Sequence, residues 1–189
     1  MVPGLGRAAY PAPAPGRVAS SGPMAEGVAN EEGPVSPKPD LRMPRAEVDE
    51  LLRRPLPGVL STLGRDGFPH SVGMWFVYDE DAGRILMFAY AKSQKVCNLE
   101  RDPRAGFLVE HGEPYSDLKG VLVRGRAELI REHERVFAIG RALYERYLEP
   151  RTGVAFDEGP RITIERQARK RVGIALPLER IVSWDHARG

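Results

Sequence analysis

Residues 89–104, AYAKSQKVCNLERDPR, bring two ammonium groups, a hydroxyl and an amide close together: Lys92, Ser93, Lys95 and Asn98. An apolar run ends just before them, and Asp102-Pro103 closes the stretch, since the residue preceding a proline is pushed out of the helical region. On a helix advancing about 100° per residue, Lys92, Lys95 and Asn98 step by roughly 60° along one slanted line. Val96 and Leu99 follow the two lysines by four positions on the same side, so the lysines flank a packing face. Ser93 sits where an N-cap would, its hydroxyl within reach of a free backbone N–H. Free N–H groups, a hydroxyl and two ammonium groups at a helix start make an anion site, best suited to a phosphate. A plainer reading also fits. Ser93 caps the helix and nothing more, while the lysines snorkel to solvent. The residues of this stretch alone leave both readings open.

Other chemistry is sparse. The four histidines, His70, His111, His133 and His186, are scattered without ligand spacing, so no metal site is expected. A single cysteine, Cys97, allows no internal disulfide and no multi-cysteine metal site, and it reads as a small packing residue. No phosphate-binding glycine loop or dinucleotide fingerprint occurs. RQARKR at 166–171 leads straight into a strand without an aromatic platform, so it reads as a solvated edge and not a nucleic-acid surface. No nucleophile–base pair is visible.

The elements that must position the cluster come next. The 189 residues carry 28 basic and 26 acidic side chains, a formal net charge of +2, which gives no reason to expect a polyanionic partner. Pro, Gly, Ala and Ser dominate to about Pro39, and residues 1–42 read as a disordered extension. Met24 and Met43 are alternative starts. No apolar run suits a signal peptide or a membrane span, and a lone cysteine suits reduced cytosol. From residue 43 onward the chain reads as a folded domain to residue 189.

MPRAEVDELLRRP predicts a helix, with Val48, Leu51 and Leu52 at helical spacing and Pro55 beyond it. GVLSTLG predicts a strand, RDG a hairpin turn, and FPHSVGMWFVYD a second strand. RILMFAYA gives a third strand before the short helix that begins at Ser93. RAGFLVEHG and DLKGVLVRGRAELI give two more, the latter with glycines at 120 and 125 that suggest bends. EHERVFAIGRALYERYL predicts a helix through Val136, Ile139, Leu143 and Tyr147. A loop follows, then two final strands around Pro177. Closely spaced strands interrupted by a few helices point to a mainly β, α+β fold, a small barrel with helical decoration.

This order, with Ser-x-Lys-x-x-Asn-Leu-x-x-Asp-Pro-Arg at 93–104, resembles the pyridoxamine 5′-phosphate oxidase-like, FMN-binding split-barrel family. It is most similar to the branch that includes oxidoreductases using the deazaflavin coenzyme F420. GVLVRGRAEL and the terminal SWDH agree with it more weakly. The resemblance implies a six-stranded split barrel acting as a homodimer, with two cofactor sites at the interface. It implies that Ser93 and Lys95 hold a cofactor phosphate, assisted by Lys92 and Asn98. It implies also that Ser71, Gly73, Met74 and Trp75 lie against the cofactor ring, and that Trp184, near the chain end, serves the shared site. Phe76, on the strand face opposite Ser71, Gly73 and Trp75, reads as core.

A redox cofactor carries its own chemistry, so the protein need only hold it, orient it and exclude competing reactions. The expected function is hydride transfer from reduced coenzyme F420, with FMN the alternative, to a small organic substrate. Lys92 favours the more anionic of the two cofactors. The rivals are a non-catalytic barrel that carries flavin or haem, and a structural dimer. Pyridoxamine 5′-phosphate oxidase activity itself fits less well, because SWDHARG departs from that enzyme's basic C-terminal pattern.

Overall fold

A computed structural model describes residues 40–189; the extension expected to be disordered lies outside the described residues up to position 39. Leu41 already joins the folded body, its carbonyl accepting a hydrogen bond from the Asp185 amide at 2.8 Å. Helix α1 (Arg45–Arg53) starts after Pro44 and buries Val48, Leu51 and Leu52. Strands β1 (Gly58–Leu63) and β2 (Pro69–Met74) form an antiparallel hairpin. Its turn needs Gly67 at φ +85°, a conformation that glycine adopts without steric cost.

The chain then does something that alternation alone hides. The stretch expected to be one strand over 68–79 breaks at Trp75-Phe76, and β3 (Val77–Asp79) belongs to the other sheet. Phe76 drops fully into the core there and meets Phe107 edge-on at 5.0 Å between ring centroids. Strand β4 (Arg84–Tyr90) leads to helix α2 (Gln94–Arg101) and β5 (Arg104–His111). A second break, at Ala127, separates β6 (Lys119–Arg126) from β7 (Glu128–Ile130), and β8 (Arg171–Pro177) and β9 (Arg180–Asp185) switch sheets after Pro177. The result is two antiparallel sheets, ordered β2-β1-β5-β6-β9 and β3-β4-β8-β7. Among the described residues the expected split barrel is built from nine strand segments, because long strands turn corners to serve both sheets. Leu60, Ile85, Met87, Val109, Val121 and Ile174 fill the space between.

Helix α3 (His133–Leu143) continues through a π-helical turn at Tyr144–Leu148 into the short α4 (Glu149–Thr152). The expected loop contains a further helix, α5 (Glu158–Ala168), capped by Asp157, whose carboxylate accepts from the Gly159 amide at 3.1 Å. Helices α3 and α5 cover the outer face of the four-stranded sheet, where Phe88, Ile130 and Ala175 meet Val136, Ile139 and Ala168. Gly173 permits that approach, since a β-carbon there would lie 2.5 Å from Ile139 Cδ1.

Candidate functional site

Helix α2 begins where β4 ends, and its first turn gathers the cluster seen in the sequence. Ser93 holds the N-cap position, yet its hydroxyl caps nothing. Its Oγ is buried and has no hydrogen-bond partner among the described residues. Leaving a buried hydroxyl unpaired costs about 1–3 kcal/mol, so this atom calls for a ligand. Lys95 is half-buried, and burial together with the nearby Arg171 guanidinium holds its ammonium below the ordinary lysine pKa. Lys92 is exposed at the approach to the helix. Neither lysine forms an ion pair among the described residues, and nor does Arg171. The two lysines, uncompensated beside an orphan hydroxyl and a helix N-terminus, fit a phosphate.

Asn98 does not belong to this cradle. It is fully buried, donating to Thr62 Oγ1 at 3.0 Å and accepting from the Gln94 side chain at 2.9 Å. The same helical step that placed it in line with the lysines carries it under the packing face beside Val96 and Leu99, where it clamps α2 to β1. Cys97 is exposed on α2, contrary to the packing role expected of it.

Arg171 was hidden from sequence reading within the basic run 166–171. It opens β8 directly opposite Tyr90 of β4, and its guanidinium lies against the rings of Phe88 and Tyr90 at 4.6 and 4.2 Å. Its Nε is buried without a partner. One signal could have found it. Period-two alternation in RVGIALP sends Arg171, Gly173 and Ala175 to one face, away from the core residues Val172, Ile174 and Leu176.

A cleft of about 720 Å³ opens between the end of β2, strand β4 and helices α3 and α5. Gly73, Met74 and Trp75 line one side, and Phe88, Leu143 and Ile164 another. A β-carbon on Gly73 would meet nothing within 4 Å, so bare backbone faces open space that a flat ring could fill. Met74 is half-buried and also packs on the main core. The Trp75 indole stacks on Tyr147 at 4.9 Å and 6°, with the Arg151 guanidinium 5.8 Å from its centroid. The π-helical turn sets this stack, because Tyr147 also donates to the Leu56 carbonyl at 2.7 Å. Ser71 points to the outer face of the five-stranded sheet, where its hydroxyl pairs with that of Ser61 at 2.8 Å.

Trp184 is not brought to this cleft within one chain. It lies on β9, at the edge of the sheet opposite β2. Strand register nevertheless puts Trp184 on the same outward face as Gly73, and aligns Gly73, Val59, Leu108, Leu122 and Val182 in one row across the sheet. Val59 and Val182 in that row are 37% and 40% exposed.

The cleft's polar groups can hold and orient but are poorly equipped to activate. Tyr144 gives its hydroxyl proton to the Val154 carbonyl at 3.1 Å. Thr163, Gln167 and Arg171 remain, and among the described residues no histidine or carboxylate lines the cleft. No helix among the described residues is long and apolar enough to cross a membrane.

The family model described as pyridoxamine 5′-phosphate oxidase matches residues 44–184. The crystal structure of a conserved hypothetical protein from Mycobacterium tuberculosis is 37% identical, with a TM-score of 0.70, covering 79% of this chain and 89% of that one. A structure described as an F420 reductase is 25% identical with a TM-score of 0.55, covering 71% of this chain and 94% of that one. The haem storage protein of Vibrio cholerae shares the fold at 15% identity and a TM-score of 0.55, over 74% of this chain and 94% of that one. No curated protein matches.

Proposed function

The chain belongs to the pyridoxamine 5′-phosphate oxidase family, and on that footing we propose that it is an oxidoreductase that binds a phosphorylated deazaflavin or flavin, coenzyme F420 ahead of FMN. One observation carries the reading: the buried, unpartnered Ser93 hydroxyl beside Lys95, at the head of α2. The cofactor phosphate lies on Ser93, Lys95 and the first turn of α2, and its ring lies against Gly73, Met74 and Trp75. Such a cofactor, when bound, supplies a hydride to a small organic acceptor. The protein's residues fix its position and exclude water.

The likeness to an F420 reductase at 25% identity supports the order of preference between cofactors. The C-terminus argues against pyridoxamine 5′-phosphate as substrate, because its groups are committed within the chain. Arg188 is bound to Glu47 at 2.5 Å, and Asp185 caps the final turn.

The working unit of this reading is a homodimer. Two copies packed through the apolar row on the five-stranded sheet, about a two-fold axis along the strands, set β9 of one copy over β2 of the other. That brings Trp184 over the Gly73 end of its partner's β2, at the level of Trp75, and completes the site.

Titration of the purified protein with coenzyme F420 and with FMN tests the assignment, followed by the absorbance change on adding a reductant system and an acceptor. Tighter binding of coenzyme F420, with turnover, is the expected result. Binding of either cofactor without any reduction would leave a carrier protein instead of an enzyme.

A further inference from the structure

The cradle and the cleft each own a cation. Arg171 lines the cleft, whereas Lys92, Ser93 and Lys95 do not. Its guanidinium lies against the rings of Phe88 and Tyr90, with a buried Nε that no group among the described residues accepts from. Planar guanidinium forks recognise carboxylates in a fixed geometry. The wall facing it, on α3, the π-helical turn and α5, is apolar through Leu143, Leu148, Pro160 and Ile164, while Thr163 and Gln167 add a hydroxyl and an amide. A volume of about 720 Å³ is in the range that encloses a drug-sized ligand.

We propose that the helix side of this cleft is the acceptor site, and that the acceptor is a flat apolar molecule bearing one carboxylate, held by Arg171. The assignment deepens the cofactor reading and rests on it, since the acceptor must lie beside a ring placed against Gly73. Trp75 and Phe88 line the same cleft and add aromatic surface for a planar body. One fixed cation at the end of an apolar chamber selects a single acidic group, because a second would be buried without a partner.

Calorimetric titration of the full chain, alone and saturated with coenzyme F420, with naphthalene-2-carboxylate and its neutral analogue naphthalene-2-carboxamide provides the test. The carboxylate is expected to bind about tenfold tighter or better, as a charge-assisted contact implies. Arg171→Gln should erase that preference by weakening the carboxylate alone, and Thr163→Trp should weaken both probes by filling the chamber. Should Arg171→Gln fail to fold, Arg171→Lys keeps the charge and loses the fork, and it should retain only part of the preference. Equal affinity for the two probes overturns the proposal, as does a preference indifferent to Arg171. Mutual exclusion of probe and cofactor overturns it too, because the cleft would then be the seat of the ring itself. A chain that binds no flavin-type cofactor yet keeps the Arg171-dependent preference removes the cofactor reading and upholds the carboxylate site.

Discussion

Trp184 lies across the bare backbone of Gly120: the two are paired between β9 and β6, and a β-carbon on Gly120 would sit 2.3 Å from the indole Cζ2. Glycine at 120 thus makes a seat for the indole, where the sequence suggested a bend. Gly120→Ala should displace Trp184, costing about 1–3 kcal/mol as overpacking does. Urea unfolding of Gly120→Ala, Trp184→Ala and the double variant measures this. Once Trp184 is gone the alanine should cost little, so strict additivity of the two single effects would contradict the packing argument. Sedimentation of the same variants tests a second consequence: the proposed dimer should weaken wherever the indole is lost or moved.

Tyr147 links the π-helical turn to the barrel. Its hydroxyl donates to the Leu56 carbonyl at 2.7 Å and accepts from the Phe76 amide at 3.4 Å, while its ring carries Trp75. Tyr147→Phe keeps the stack but orphans the part-buried Leu56 carbonyl and the buried Phe76 amide, so it should cost about 1–3 kcal/mol of stability with cofactor affinity nearly intact. Tyr147→Leu should additionally loosen Trp75 and weaken cofactor binding. Equal binding losses in the two variants would mean that the stack does not shape the site.

How far the sequence reveals this molecule depends on how local each signal is. Ser93 and Lys95 were legible because a helix start is written in adjacent residues. Arg171 was not, because only the pairing of β8 with β4 brings it opposite Tyr90. The strand breaks were invisible for a related reason. Alternation runs unbroken through Trp75-Phe76, so the pattern says which residues go inward but not which sheet receives them. Helix α5 was missed because it buries only Ile164 and Ala168 and leaves Ile162 56% exposed, too little apolar periodicity to announce itself.

Asn98 separates a binding role from a structural one. It joins α2 to β1 through Thr62 and also holds Gln94. Asn98→Ala should lower stability by about 1–3 kcal/mol, the cost of a buried partner left unsatisfied. At a temperature where that variant remains folded, cofactor affinity should match the parent. A selective loss of phosphate-bearing ligands, with stability unchanged, would return Asn98 to the cradle.

The cradle itself makes a prediction about affinity and one about pH. A charge-assisted contact to phosphate is worth on the order of 1.5–3 kcal/mol, so Lys95→Ala should weaken cofactor binding by roughly ten- to a hundredfold. Ser93→Ala should cost less, and Lys38→Ala nothing. Riboflavin, which has no phosphate, should bind Lys95→Ala and the parent alike; if it weakens equally, the variant has damaged the fold and not the cradle. The pH arm follows from the direction of the Lys95 shift. Burial and the Arg171 guanidinium lower the pKa of its ammonium in the free protein, and a bound phosphate favours the charged form and raises it again. The complex therefore holds the proton more tightly than the free protein does. Affinity should be full below the lowered free-state pKa and should fall as pH rises through it, beginning before the ordinary lysine value of about 10.4. Titrations of the phosphorylated cofactor from neutrality upward should show that decline in the parent, and Lys95→Ala should flatten it. A parent whose affinity holds steady until ordinary lysines lose their protons would show that Lys95 stands apart from the phosphate.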